Sequence, residues 1–333
     1  MELKPSKLSM YTLEELKSIV NKAIANISYE TDSERLYDPV RYILSLGGKR
    51  LRPLMTLMAC NLFSDIIDHA IKPAIGLEVF HNFTLVHDDI MDNSALRRGS
   101  ETVHTKYGAN QAILSGDVMV FVANELIAQA PASAMPAVFK TYNRLAREVC
   151  IGQQLDMDFE STPYVSHEQY LRMVELKTAV LIAGSLRIGA LIGGAGSIDC
   201  DLLSSFGLNL GLAFQVQDDI LDSFGDPSVF GKKIGGDIVA NKKTLLLIKA
   251  FELASGATLK KLQELVSTRE ISGEEKIKAV IDIYNDLEIK SWAENLARQY
   301  IDRAYISLDS VVISPSRKEP LQELAAMLVG RTR

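Results

Sequence analysis

The run Val86-His87-Asp88-Asp89-Ile90-Met91-Asp92 returns further along the chain as Val216-Gln217-Asp218-Asp219-Ile220-Leu221-Asp222. Each copy follows an apolar stretch that reads as a helix, and on a helix the first and fifth residues of such a run share a face. Asp88 can therefore point with Asp92, and Asp218 with Asp222. Oxygen-only clusters of this kind suit Mg²⁺, which keeps several waters and shares its site with substrate phosphate. Two of them predict a cavity that holds a metal-bridged polyphosphate. A lone acidic cluster is more often a solvated helix face. Here the preceding residues, from Ile75 to Val86 and from Leu208 to Val216, are mostly apolar. The carboxylates thus close buried helices, where they repel one another and are costly to desolvate without a cation.

Basic residues accompany the acidic ones. Gly47-Gly48-Lys49-Arg50-Leu51-Arg52-Pro53 sets three cations before a helix start, where the N–H groups and dipole already favour anions. Arg97-Arg98 follows the first motif; adjacent arginines point in different directions, so each can fork onto a different phosphate. Taken alone, these side chains also fit a solvated loop and a helix C-terminus. Lys177-Thr178 sits within a helical run, where a lysine by itself would snorkel to solvent. Gln215 lies on the Asp218 side of its helix. Gly231-Lys232-Lys233, Asp237 and Asn241-Lys242-Lys243 follow the second motif, on a loop able to close over a substrate. The run Gly152-Gln153-Gln154-Leu155-Asp156 has no evident chemistry. His81 is two turns before Asp88 on its side of the helix, and His87 directly precedes the aspartates. The histidines include no HExxH, and no nucleophile–base pair stands out.

Helices must position these groups. Thr12 with Glu15 and Ser166 with Gln169 form capping boxes. Asp38-Pro39 reads as a helix start, Gly47-Gly48 as its stop, and Arg52-Pro53 as the next start. No sustained period-two alternation appears, so the fold class is all-α. Breaks near Pro131–Pro136, Ser161–Pro163, Gly225–Pro227 and Val312–Pro320 are too short for linkers, so residues 1–333 read as one large helical domain with a central cavity, residues 1–11 being a possible extension. With 333 residues and 47% hydrophobic content the chain can bury a large core. Its net charge of −6 argues against a nucleic-acid partner. Cys60, Cys150 and Cys200 form neither a disulfide framework nor a metal pattern. No signal peptide is visible, and Ala179–Gly196, interrupted by Arg187, falls short of a continuous span. A cytoplasmic protein without stable membrane insertion is expected.

Together, GGKRLRP, DDIMD with Arg97-Arg98, GQQLD, Lys177-Thr178, FQVQDDILD and the trailing lysines make the chain resemble the trans-isoprenyl diphosphate synthases of the farnesyl/geranylgeranyl type, from about Ser33 to the C-terminus. The resemblance implies a homodimer that condenses isopentenyl diphosphate with an allylic diphosphate. By that resemblance Asp88 and Asp92 hold two Mg²⁺ ions and Asp218 a third. Arg97, Lys177, Lys232 and Lys242, with Thr178 and Gln215, grip the allylic diphosphate, while Lys49, Arg52, His81 and Arg98 bind isopentenyl diphosphate. Whether Lys232 or Lys233 makes the contact stays open. In related enzymes the residues at Phe83 and Thr84 set chain length; one aromatic there, with no insertion in DDIMD, implies geranylgeranyl diphosphate, with farnesyl diphosphate second. Three rivals are an HD-type phosphohydrolase suggested by His81 and His87-Asp88, a terpene cyclase, and a non-catalytic subunit. The first lacks supporting histidines, the second departs from the full second DDILD, and the third would be expected to have lost aspartates or arginines.

Overall fold

A computed structural model describes residues 10–29, 33–225, 235–267 and 272–330. Its helices are α1 (Leu13–Ala25), α2 (Glu34–Ser45), α3 (Leu51–Phe63), α4 (Asp68–Met91), α5 (Val103–Tyr107), α6 (Ala109–Ile127), α7 (Met135–Ser161), α8 (His167–Val174), α9 (Val180–Gly193), α10 (Ser197–Phe224), α11 (Gly236–Val239), α12 (Leu245–Leu253), α13 (Gly256–Ser267), α14 (Gly273–Asp286), α15 (Ile289–Asp309) and α16 (Pro315–Val329). Strands β1 (Leu96–Arg97) and β2 (Ser100–Glu101) pair antiparallel. The all-α expectation holds, and this short hairpin is what the search for alternation missed. Two residues per strand leave no period to detect.

Both capping boxes form, at Thr12 and Ser166. The Asp38-Pro39 start is corrected: α2 begins at Glu34, with Pro39 inside it. Pro39 is the sixth residue of α2, past the four N–H groups that lack partners at a helix start, so the helix forgoes one i→i−4 bond, to the Arg35 carbonyl.

Packing divides the chain into two compact units. The first comprises Met1–Arg144, Gly184–Ser204 and Val311–Gln322; the second comprises Leu145–Ala183, Ser205–Ser310 and Glu323–Arg333. Four of the five boundaries fall inside helices, α7, α9, α10 and α16, where no linker composition marks them, and the fifth lies between α15 and α16.

In the first unit α4 packs along α3 and α6. Gly189 and Gly193 bring α9 onto α3, since an added Cβ would lie 2.0 Å from the Thr56 carbonyl oxygen and 2.6 Å from that of Cys60. Arg187 pairs with Asp201. In the second unit Tyr170, Met173, Val174, Leu212, Val216, Leu246, Val280 and Tyr284 belong to one buried cluster. The run His167–Gly193 is long and apolar enough to cross a membrane by length and composition, a correction to the sequence reading; 67% of its apolar window is buried, as in a core helix.

Candidate active site

In the first unit the acidic motif ends a helix. α4 stops at Met91, Asp92 is its C-cap, and Asn93 takes a left-handed φ of 50°. The Asn93 N–H donates to the Ile90 carbonyl (3.3 Å) and the Ser94 N–H to that of Asp89 (3.0 Å), the Schellman pattern. No basic side chain lies in the last turn of α4. Asp88 and Asp92 therefore sit at the negative end of the helix dipole, which disfavours further negative charge. Asp88 is half-buried, Asp92 exposed, and Asp89 fully buried.

Asp89 has a separate task. It takes Arg97 Nε at 3.1 Å on one oxygen and 3.2 Å on the other, with Nη2 at 2.5 Å. The hairpin brings Arg97 there. Its turn, Arg98-Gly99, has φ of 54° and 77°, the double positive φ that a two-residue type I′ turn demands. Arg97 in β1 thus turns to Asp89, while Arg98 in the turn donates to the Gly47 carbonyl. The two arginines do diverge, as expected. Gly48, at φ 120°, lies beneath Arg98, because an added Cβ would be 2.7 Å from the guanidinium carbon.

Two turns before Asp88, His81 lies within electrostatic reach of four guanidiniums. Arg52, Arg98, Arg97 and Arg50 all press its basicity down, after burial as the larger cause, so the ring stays neutral. Burial likewise lowers Arg52 to about 10, and Arg98 adds to the fall. Glu78 opposes it. Glu78 and Arg50 are both buried and pair at 2.7 Å. Arg52 Nε, Arg50 Nε and Glu78 Oε2 are buried without a hydrogen-bond partner. Lys49 is exposed beside them. Cationic donors concentrated around a neutral imidazole make an anion site. Arg52, His81 and Arg98 are thus near one another, and Lys49 is exposed next to Arg50 in the chain.

Phe83 stacks edge-on to His87 (4.9 Å) and against Phe80 (5.5 Å). Thr84 turns its hydroxyl back to the His81 carbonyl at 2.8 Å. His87 Nε2 lies 3.2 Å from the Ile113 carbonyl, against Gly116 of α6.

In the second unit Asp218 is exposed, Asp222 half-buried and Asp219 buried, again near the end of a helix with no basic side chain in its last turn. Asp219 accepts from Tyr170 Oη (2.8 Å), Gln215 Nε2 (3.1 Å) and the Leu245 N–H (3.1 Å). Burial pushes its carboxyl up to about 7 despite these donors. Gln215 therefore reaches Asp219 through its amide nitrogen. Asp222 accepts from the Asp237 N–H at 3.1 Å and so anchors the start of α11.

Lys177 and Thr178 lie in a π-helical turn, Glu175–Ala179, between α8 and α9. Such turns recur at functional sites. Lys177 Nζ meets Asp156 at 2.5 Å, and Gly152 rests on the Lys177 backbone, where a Cβ would come within 2.3 Å of its nitrogen. That explains GQQLD: its glycine admits the π turn and its aspartate holds the lysine. Lys243 donates to the carbonyls of Phe159, Glu160 (3.2 Å) and Thr162 (2.6 Å), ending α7, whereas Lys242 is exposed. Lys232 and Lys233 lie outside the described residues.

Among the described residues, the one group of three or more His, Cys, Asp or Glu whose ligand atoms all lie within 4.8 Å is His167, Glu168 and Glu252, which the aspartate motifs do not include. The carboxylate pair at the negative end of α4, and separately the pair near the end of α10, is each an incomplete, oxygen-only set. Such a set fits Mg²⁺, which completes its octahedron with water and substrate phosphate. Sequence reasoning missed Glu78, Tyr170 and the separate roles of Asp89 and Asp219. The apolar flanks signalled burial but not which aspartate turns inward.

A profile of polyprenyl synthetases matches residues 33–284. The chain belongs to the polyprenyl synthetase family. It is 39% identical over 316 residues to a geranylgeranyl pyrophosphate synthase of Geoglobus acetivorans, covering 94% of this chain and 96% of that one. It is 37% identical to a geranylfarnesyl diphosphate synthase of Aeropyrum pernix, over 90% and 95% of the two chains. A crystal structure of a geranylgeranyl pyrophosphate synthase superposes with a TM-score of 0.92 at 40% identity, covering 97% of this chain and all of the other.

Proposed function

We propose that this prenyltransferase condenses isopentenyl diphosphate with an allylic diphosphate and releases geranylgeranyl diphosphate. One observation carries the reading: Arg52 and Arg98 beside neutral His81, with Arg50 and Arg97 held nearby by Glu78 and Asp89, two turns along α4 from a carboxylate-closed helix end. Seven residues of helix separate His81 from Asp88, about 10 Å at 1.5 Å per residue, room for two diphosphate heads at different places.

In this reading Asp88 and Asp92 would hold two Mg²⁺ ions and Asp218 a third. When bound, the metal supplies Lewis-acid and charge stabilisation to a departing diphosphate. Arg97, Lys177 and Lys242, with Lys232 on the segment beyond α10, add positive charge against the same leaving group. Lys49, Arg52, Arg98 and the neutral His81 seat isopentenyl diphosphate with its double bond presented to the allylic cation. Thr178 and Gln215 offer oxygen dipoles to that cation. The proton lost at the end goes to the released diphosphate, so no protein base is required. Phe83, braced by Phe80 and His87, would stop chain growth, while Thr84 leaves space beside it. A cytoplasmic homodimer completes the proposal.

Purified protein given labelled isopentenyl diphosphate with dimethylallyl, geranyl or farnesyl diphosphate and Mg²⁺ tests it. Geranylgeranyl diphosphate on the chromatogram is the expected result. A farnesyl or geranylfarnesyl product would keep the reaction and revise the length. Inorganic phosphate alone, or a cyclic hydrocarbon, would overturn the assignment.

A further inference from the structure

In the GGKRLRP run Lys49 is exposed, yet the next residue, Arg50, points inward. Arg50 is 8% exposed and holds a left-handed φ of 50°, which a side chain with a Cβ adopts only at a cost. Its guanidinium is fixed from two sides. Nη1 donates to Glu78 Oε1 at 2.7 Å, and Nη2 donates to the Leu44 carbonyl at the end of α2. Glu78 is 2% exposed on α4, one turn before fully buried Asn82, whose Nδ2 donates to Glu78 Oε1 (3.1 Å) and to the Glu78 carbonyl (2.8 Å).

A buried ion pair adds little net stability, because desolvation offsets most of the attraction. What this pair does fix is direction. It ties the loop carrying Lys49, and the first turn of α3 carrying Arg52, to the helix that carries His81 and Asp88. Breaking it would let the strained Arg50 leave the left-handed conformation, and its neighbours would turn with it.

We propose that Glu78 is a positioning residue for isopentenyl diphosphate: through Arg50 it holds Lys49 and Arg52 in register with His81 on α4. The inference rests on the reading of this locus as the isopentenyl diphosphate site. Charge alone predicts the opposite sign. Removing an acid from among four arginines would strengthen anion binding, whereas loss of positioning weakens it.

The test is steady-state kinetics of Glu78→Gln, Arg50→Met and the double variant, with thermal melts of each. Glu78→Gln should raise KM for isopentenyl diphosphate about tenfold or more, leave KM for the allylic substrate within about twofold, and keep most of kcat. The double variant should be no worse than the worse single one, because Glu78 acts through Arg50. Should these variants melt too low to assay, Glu78→Asp keeps the charge but shortens the reach, and calorimetric binding of isopentenyl diphosphate below its melting point gives the same comparison; weakened binding is expected. An unchanged or lower KM for isopentenyl diphosphate, an equal rise in both KM values, or additive effects in the double variant would overturn the inference. Absence of condensation by the wild-type protein would instead remove the functional reading beneath it.

Discussion

The two acidic motifs share a spelling and differ in what holds their central residue. In the first, buried Asp89 is matched by a charge, the forked Arg97 guanidinium. In the second, buried Asp219 is matched by neutral donors from Tyr170, Gln215 and the Leu245 backbone, and its carboxyl rises to about 7. Burying a carboxylate without a counter-charge favours its protonated form; an adjacent guanidinium favours the ionised one. Repetition of a motif therefore does not imply repetition of electrostatics. The first motif stands beside an arginine-rich locus, and the second is bound into a hydrogen-bonded joint between α8, α10 and α12.

That contrast predicts unequal responses to the same change. Asp89→Asn leaves Arg97 without its charged partner and should lower kcat/KM by on the order of a hundredfold, with a raised KM for the allylic diphosphate. Asp219→Asn still offers Tyr170 an acceptor and should cost about threefold or less. Equal losses in the two variants would erase the distinction. Asp156→Asn, which neutralises the partner of Lys177, should fall between them at about tenfold, measured in the same assay.

Stability against pH sharpens the comparison, because the two loci carry opposite signs. His81 has a folded value well below 6.5, so below that pH the unfolded chain binds a proton that the folded chain refuses, and acid destabilises. Asp219 keeps its proton in the folded state up to about 7 against an ordinary 3.8, so its contribution is lost as pH rises through that window. Thermal melts in chelator should show His81→Gln gaining relative stability in acid and Asp219→Asn flattening the slope between 3.8 and about 7. The smallest effect on rate is expected at Phe83→Ala. Its readout is length: a chromatogram should shift by about one isoprene unit or more, and an unchanged product would remove Phe83 as the stop.

Much of this was legible from residue types. Helical periodicity, capping boxes and the order of GGKRLRP, DDIMD, GQQLD and DDILD led to an all-α fold and to the family. The Asp38-Pro39 misreading shows the limit of local rules, since α2 carries proline as its sixth residue, at the loss of one ladder bond, rather than at its first position. What stayed hidden depends on long-range partners. Tyr170 meets Asp219 across 49 positions and Arg50 meets Glu78 across 28, and no spacing rule reaches so far. The π turn at Lys177 was equally silent, because it becomes visible only where Gly152 presses on its backbone.

The proposed function requires the flanking aspartates of each motif to act with Mg²⁺ on a diphosphate that leaves as an anion. Condensation rate measured as a Mg²⁺ titration for wild type, Asp88→Ala and Asp218→Ala tests this most directly. Wild type should be silent in chelator and saturate with the ion, while either variant should lose on the order of a thousandfold or more that added Mg²⁺ does not restore. Full turnover by both variants at the wild-type Mg²⁺ requirement would contradict the account.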